Sequence, residues 1–226
     1  MEYSNEMLTR AMATAGARNG FEDVKAEFAA FKDFKLKWTR SYKWINFEVS
    51  DYLRNAPENV IGSLAETIYA KIGGAERTEY SQDVCDYLNS EEFLRENQNL
   101  FIRRFRGLSP TARGKNVDLE ESYRRLKENG LVKNDPRIVI RWTEDGRSRI
   151  GMSSVLMKTI AMNNRLDDNG LSENTIDYAL YSQICHVNLG FGATRDDDPE
   201  RYEAMLSDYP GRSEAETELR RLGLRI

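Results

Sequence analysis

Arg137-Ile-Val-Ile-Arg-Trp142, Ser154-Val-Leu-Met-Lys-Thr-Ile-Ala-Met162 and the run from Ser172 to about Asn188 decide the fold between them. The first two are short, rich in β-branched and apolar residues, and separated by Glu144-Asp145-Gly146, so they predict strands joined by a turn. The third places Ile176, Leu180, Ile184 and Val187 at the spacing of one helical face. Upstream, Leu36, Trp38, Trp44, Ile45, Phe47 and Val49 interleave with Lys and Arg between Phe34 and Val49, which predicts two antiparallel strands. Together these segments predict an α+β fold, with both strand pairs in one small, mostly antiparallel sheet packed with helices.

Other helices follow from their boundaries. Ala56-Pro57-Glu58 starts one that runs to about Ile72, with Val60, Ile61, Leu64 and Ile68 on one face and Gly73-Gly74 as its stop. A helical stretch from Ser81 to about Arg104 is broken near Ser90, and Asp118 caps a further helix ended by Gly130. Between them, Arg106 to Val117 holds Gly107, Pro110 and Gly114 and reads as a loop. Asp198 before Pro199 caps another helix, and Ser213 with Glu216 three residues later has the spacing of a capping box. Residues 1–30 carry Met7, Ala11, Phe21 and Phe28 at helical spacing, interrupted by Gly16 and Gly20. They read as an N-terminal helical arm, either a helix pair or a mobile segment, ahead of a domain over residues 31–226. No internal sequence repeat is visible.

The chain has 226 residues, enough to bury a core without help from metal or disulfides. Its 37 acidic and 33 basic side chains, 31% charged against 40% apolar, are an ordinary globular balance that names no partner. Cys85 and Cys185 are far apart and lack C-x-x-C spacing, which excludes a disulfide framework and a zinc ribbon and suits a reducing compartment. Neither a signal-like leader over Met1–Gly20 nor an apolar run of about eighteen residues occurs, so the expectation is a cytoplasmic protein with no membrane partner.

The order of Ile140-Arg141-Trp142-Thr143, Gly151 to Lys158 and the helix Ile176-Asp-Tyr-Ala-Leu-Tyr-Ser-Gln-Ile-Cys-His186 resembles the SprT-like (YgjP-like) zincin metallopeptidases. Phe34–Tyr52 as opening hairpin, Asp51–Ile72, and the tail from Arg201-Tyr202 to Leu222 extend the resemblance over most of residues 34–224. It implies a zincin-like core in which the long helix carries H-E-x-x-H. Two His four residues apart bind one zinc ion from a shared face there, and the Glu takes a proton from bound water. This chain reads Ser182-Gln183-Ile184-Cys185-His186 at that place. Ser182 stands for the first ligand, Gln183 for the base, Asp198 for the third ligand, and only His186 remains. The family's G-x-C-S is Gly151-Met152-Ser153-Ser154, without its Cys. An amide cannot accept the proton of an attacking water, and a serine hydroxyl is a poor zinc ligand at neutral pH. The resemblance therefore implies a degenerate peptidase scaffold that needs no cofactor and serves as a protein- or peptide-binding or regulatory module.

Two alternatives stay open. A rebuilt metal site from His186, Asp198 and Cys185 would support an altered hydrolase, with a base such as Glu173 or Asp177 brought near by folding. Against it, a lone His is more often hydrogen-bonded or exposed, neighbours on a helix diverge by about 100°, and Asp196-Asp197-Asp198 before Pro199 is explained by capping. The second alternative is nucleic-acid association through Arg103, Arg104, Arg106, Arg113 and Lys115, a basic segment in or beside the loop. The other basic stretch, Lys32 to Lys43 with Trp38, Tyr42 and Trp44, reads as the solvated face of a half-buried strand. Gly190-Phe191-Gly192 reads as a helix end and turn rather than a phosphate loop, since it follows a helix.

Overall fold

The long helix read from Ser172 onward forms as α6, Glu173–Leu189, with the Ser172 hydroxyl accepting the Thr175 amide at its start and Gly190 at φ +76° closing its end. The computed structural model describes residues 3–75, 78–144, 148–192 and 198–225. These fall into two compact units, 3–101 with 191–192, and 102–190 with 198–225.

In the first unit α1 (Asn5–Arg18) is followed by β1 (Asp23–Ala29), β2 (Leu36–Arg40), β3 (Trp44–Ser50), a 3₁₀ turn at Asp51–Leu53, α2 (Glu58–Ile72) and α3 (Gln82–Leu88). Helix α4 (Glu91–Arg104) runs on from there into the second unit. The second unit continues with α5 (Leu119–Glu128), β4 (Val139–Thr143), β5 (Gly151–Ser154), β6 (Thr159–Asn163), a 3₁₀ turn at Asn164–Leu166, α6, α7 (Pro199–Ser207) and α8 (Arg212–Arg221).

Helix, three strands, 3₁₀ turn and helices thus occur twice, and the sheets share one topology. In each the third strand is central, parallel to the first and antiparallel to the second, giving the orders β1-β3-β2 and β4-β6-β5. The architecture is therefore duplicated where the residues show no repeat.

The class is α+β, as expected, but the sheet is not single. The hairpin of residues 34–49 and the strands of 137–162 belong to separate mixed sheets, each completed by a parallel strand. That strand in the first sheet lies inside residues 1–30, where a second helix or mobile segment was expected. The seven-residue spacing of Phe21 and Phe28 fits a helix, yet Val24, Ala26 and Phe28 alternate inward along β1. The expected strand Ser154–Met162 is instead a turn at residues 155–158 between β5 and β6, with Lys158 left-handed at φ 42°. The capping box at Ser213 does not form either. α8 begins one residue earlier behind Gly211, and Glu216 accepts from Arg212 and Tyr178 instead. Of the expected turn Glu144-Asp145-Gly146, residues 145 and 146 lie outside the described residues.

Both parallel strands have part of their outer edge covered by the segment before them. Asn5 Oδ1 accepts the Phe28 amide at 3.0 Å, and Thr9 Oγ1 both accepts from the Ala26 amide and donates to its carbonyl. In the second unit Ser109 performs the same double service on Trp142, through its amide at 2.8 Å and its hydroxyl at 3.0 Å. Close packing of α1 on α2 rests on Gly16, where a Cβ would lie 2.6 Å from the Tyr69 hydroxyl.

Candidate functional site

Helix α6 is buried on every side from Thr175 to Cys185, including Asp177, Ser182 and Gln183, so its polar residues must find partners inside the second unit. Tyrosine hydroxyls bolt it in place. Tyr178 donates to Glu216, Tyr181 to the Met205 carbonyl, and Tyr209 to the Asn174 carbonyl, each at 3.0 Å or less. Asp177 accepts from the Ser122 hydroxyl at 2.6 Å and takes both Arg125 Nε and Nη2 in a fork, which ties α5 to α6. The carboxylate considered as a replacement base is thereby committed to holding the fold. Glu173, the other one, is exposed and 3.4 Å from Arg125.

Near the end of α6 the half-buried His186 meets β5. Its Nδ1 lies 2.9 Å from Ser153 Oγ, and its ring stands edge-on to Tyr202 of α7 with centroids 6.2 Å apart. This pairing joins two elements 33 residues apart in sequence, and nothing in either segment alone announces it.

The neighbouring positions turn away from any shared centre. Ser182 is fully buried and its hydroxyl donates to the Ala179 carbonyl at 2.8 Å, while its own carbonyl accepts from Tyr202. Cys185 lies in the apolar core, where burial pushes its thiol up to about 11, so it stays protonated at neutral pH. Asp198 caps α7 by accepting the Arg201 amide at 2.9 Å. Asp196 and Asp197 lie outside the described residues. Among the described residues no three His, Cys, Asp or Glu side chains gather as a metal site. The donors actually placed here, one imidazole, a back-bonded serine, a core thiol and an amide, do not fit zinc held at a catalytic centre.

Among the described residues no backbone group pairs with the outer side of β5 beside His186, where Gly151 is buried and Ser153 half-buried. Asn163 donates to the Ile150 carbonyl, and with the β5–β6 register this turns Met152 and Ser154 toward β6 and the backbone of Gly151 and Ser153 outward. Just ahead of it, Arg225 pairs with residues 148–150, its amide donating to Ser148 and its carbonyl accepting from Ile150. Backbone addition along this rim is thus already used by the chain itself.

The basic segment is ordered rather than loose. Arg103 and Arg104 end α4, while Arg106, Arg113 and Lys115 follow in the loop. All are exposed except Arg104, which is half-buried and engaged. The amides of Lys115, Asn116 and Val117 converge on the Asp167 carboxylate at 2.6 to 2.8 Å. Burial would raise the Asp167 pKa, but these three donors hold it below the usual carboxylate range. The loop's backbone pocket for an anion is therefore filled from within.

No family model, curated protein or solved structure matches the chain. No helix among the described residues is long and apolar enough to cross a membrane.

Proposed function

We propose that this chain is a non-catalytic homologue of the SprT-like metallopeptidases that holds an extended peptide along the β5 edge beside His186. One observation carries this reading: the outward backbone of half-buried Ser153 lies next to a histidine already bonded to the Ser153 hydroxyl, on the rim where Arg225 already adds by backbone pairing. A peptide continuing that addition gains main-chain hydrogen bonds and passes His186 and Tyr202. Chemistry is not supported at the same place, because Gln183 cannot act as base and Ser182 is turned inward.

The test combines metal content with peptide protection. After zinc supply and desalting, wild type and His186→Ala should retain equally little metal and cleave no unstructured protein. Amide exchange at Ser153 should slow when extended peptides are added. Near-stoichiometric zinc that is lost in His186→Ala, accompanied by proteolysis, would replace this reading with that of an altered metallohydrolase.

A further inference from the structure

Among the described residues the exposed large hydrophobic side chains are Trp38 at 41%, Tyr42 at 88% and Trp44 at 40%, and all three stand on the β2–β3 hairpin of the first unit. From Phe34 to Trp44 the same stretch carries Lys35, Lys37, Arg40 and Lys43 and no acidic residue. Apolar surface concentrated in one place, on a hairpin segment whose own charges share one sign, marks a contact region more than a random scatter does.

The strand itself offers a second observation. Ser50 donates to the Lys35 carbonyl and Ser41 to the Trp44 carbonyl, so with the β2–β3 register Lys37 and Thr39 face β3. The N–H and C=O of Leu36, Trp38 and Arg40 must then point away from the sheet, and among the described residues no backbone group takes them. The opposite edge of this sheet is partly covered by Asn5 and Thr9. A groove of about 560 Å³ crosses the sheet from β1 to β2, lined among others by Lys25, Glu27, Lys37, Trp38, Asn46 and Glu48.

We infer that β2 is a docking edge for an extended acidic peptide, a site distinct from the one beside His186. Such a peptide would pair its backbone with Leu36, Trp38 and Arg40. With alternating residues it would lay apolar side chains along the Leu36 and Trp38 side and carboxylates along the Lys35 and Lys37 side. The existing ion pairs, Lys37 with Glu48 at 3.6 Å and Lys43 with Glu22 at 2.7 Å, join exposed groups and exchange at little cost. A second copy of the chain is disfavoured, because two β2 edges would oppose Lys to Lys. Single-stranded nucleic acid is disfavoured by geometry. Trp38 shares the side of Phe47, whereas Trp44 lies on the other face, so the aromatics form no continuous stacking surface.

The experiment titrates full-length protein into a fluorescein-labelled peptide of about eight alternating Glu and Val residues, with an oligothymidylate of similar charge in parallel. Saturable binding is expected, weakened at least about tenfold by the pair Lys35→Glu and Lys37→Glu and about fivefold by Trp38→Ala. Circular dichroism should confirm that these exposed variants fold. Amide exchange should slow at least about tenfold at Leu36, Trp38 and Arg40 and stay unchanged at Lys37 and Thr39, which already face β3. Protection of Leu36, Trp38 and Arg40 by this peptide should persist in His186→Ala, which separates the site from the β5 edge. Absent binding, or binding without protection of the three outward amides, overturns the inference. So does preferential binding of the oligothymidylate, which would make the hairpin a nucleic-acid surface instead.

Discussion

Asp167 gathers three consecutive amides, and Gly114 is the residue that lets it come so near, since a Cβ there would fall 2.6 Å from the carboxylate. Gly114→Ala should therefore lower stability by about 1 to 3 kcal/mol, because the carboxylate it meets is fixed by its partners. Asp167→Asn keeps the shape and loses the charge, at a cost of about 1 kcal/mol given that part of the loop is open to water. The folded-state pKa of Asp167 is depressed, so its contribution is present above the unfolded value of about 3.9 and is lost as pH falls through the folded value. Thermal melts of wild type and Asp167→Asn should accordingly converge below about pH 4. None of this is legible in the sequence, where Gly114 marks only a loop and Asp167 only a charge. The chemistry of Ser182 and Gln183, by contrast, is readable because it is local: a hydroxyl is a poor zinc ligand and an amide a poor base wherever the helix lies. The Ser153–His186 bond is not local, and it needed the approach of β5 to α6.

Elements whose ends carry strong signals match their reading closely. Helix α2 runs from Glu58 behind Pro57 to Ile72 before Gly73, and α5 is capped by Asp118. These boundaries are set by backbone chemistry within a few residues, which a sequence displays directly. β1 was hidden because its pairing partner, β3, begins about twenty residues later, and a parallel neighbour leaves no turn signal between the two. Its covered edge gives a test at this scale. Asn5→Ala with Thr9→Val leaves the amides of Phe28 and Ala26 without their side-chain partners. The double variant should lose about 2 to 4 kcal/mol and aggregate faster on incubation, measured by urea unfolding and light scattering. Unchanged stability would mean that water replaces both side chains without penalty.

Across the whole molecule, tyrosine is the residue that both cores share. The chain has eleven, and burial pushes Tyr69 and Tyr202 up to about 12 and Tyr87, Tyr178, Tyr181 and Tyr209 further still. A phenol whose folded pKa exceeds its unfolded value stabilises fully below about 10, and that contribution is lost as pH rises through the folded value. Phenolate absorbance near 295 nm should therefore show a late stage, from these buried phenols, that coincides with loss of the circular dichroism signal. A single smooth titration centred near pH 10 would contradict this packing. The α+β class was legible from strand and helix patterns, but the division into two like sheets was not, because each sheet is completed by a strand whose partner no short-range pattern reveals. The order in which the edges are covered has a consequence for synthesis. Asn5 and Thr9 precede β1, and Ser109 precedes β4, so a ribosome releasing the chain from its N-terminus delivers each cover before the strand it protects. Neither parallel edge need ever emerge as a sticky, unaccompanied strand.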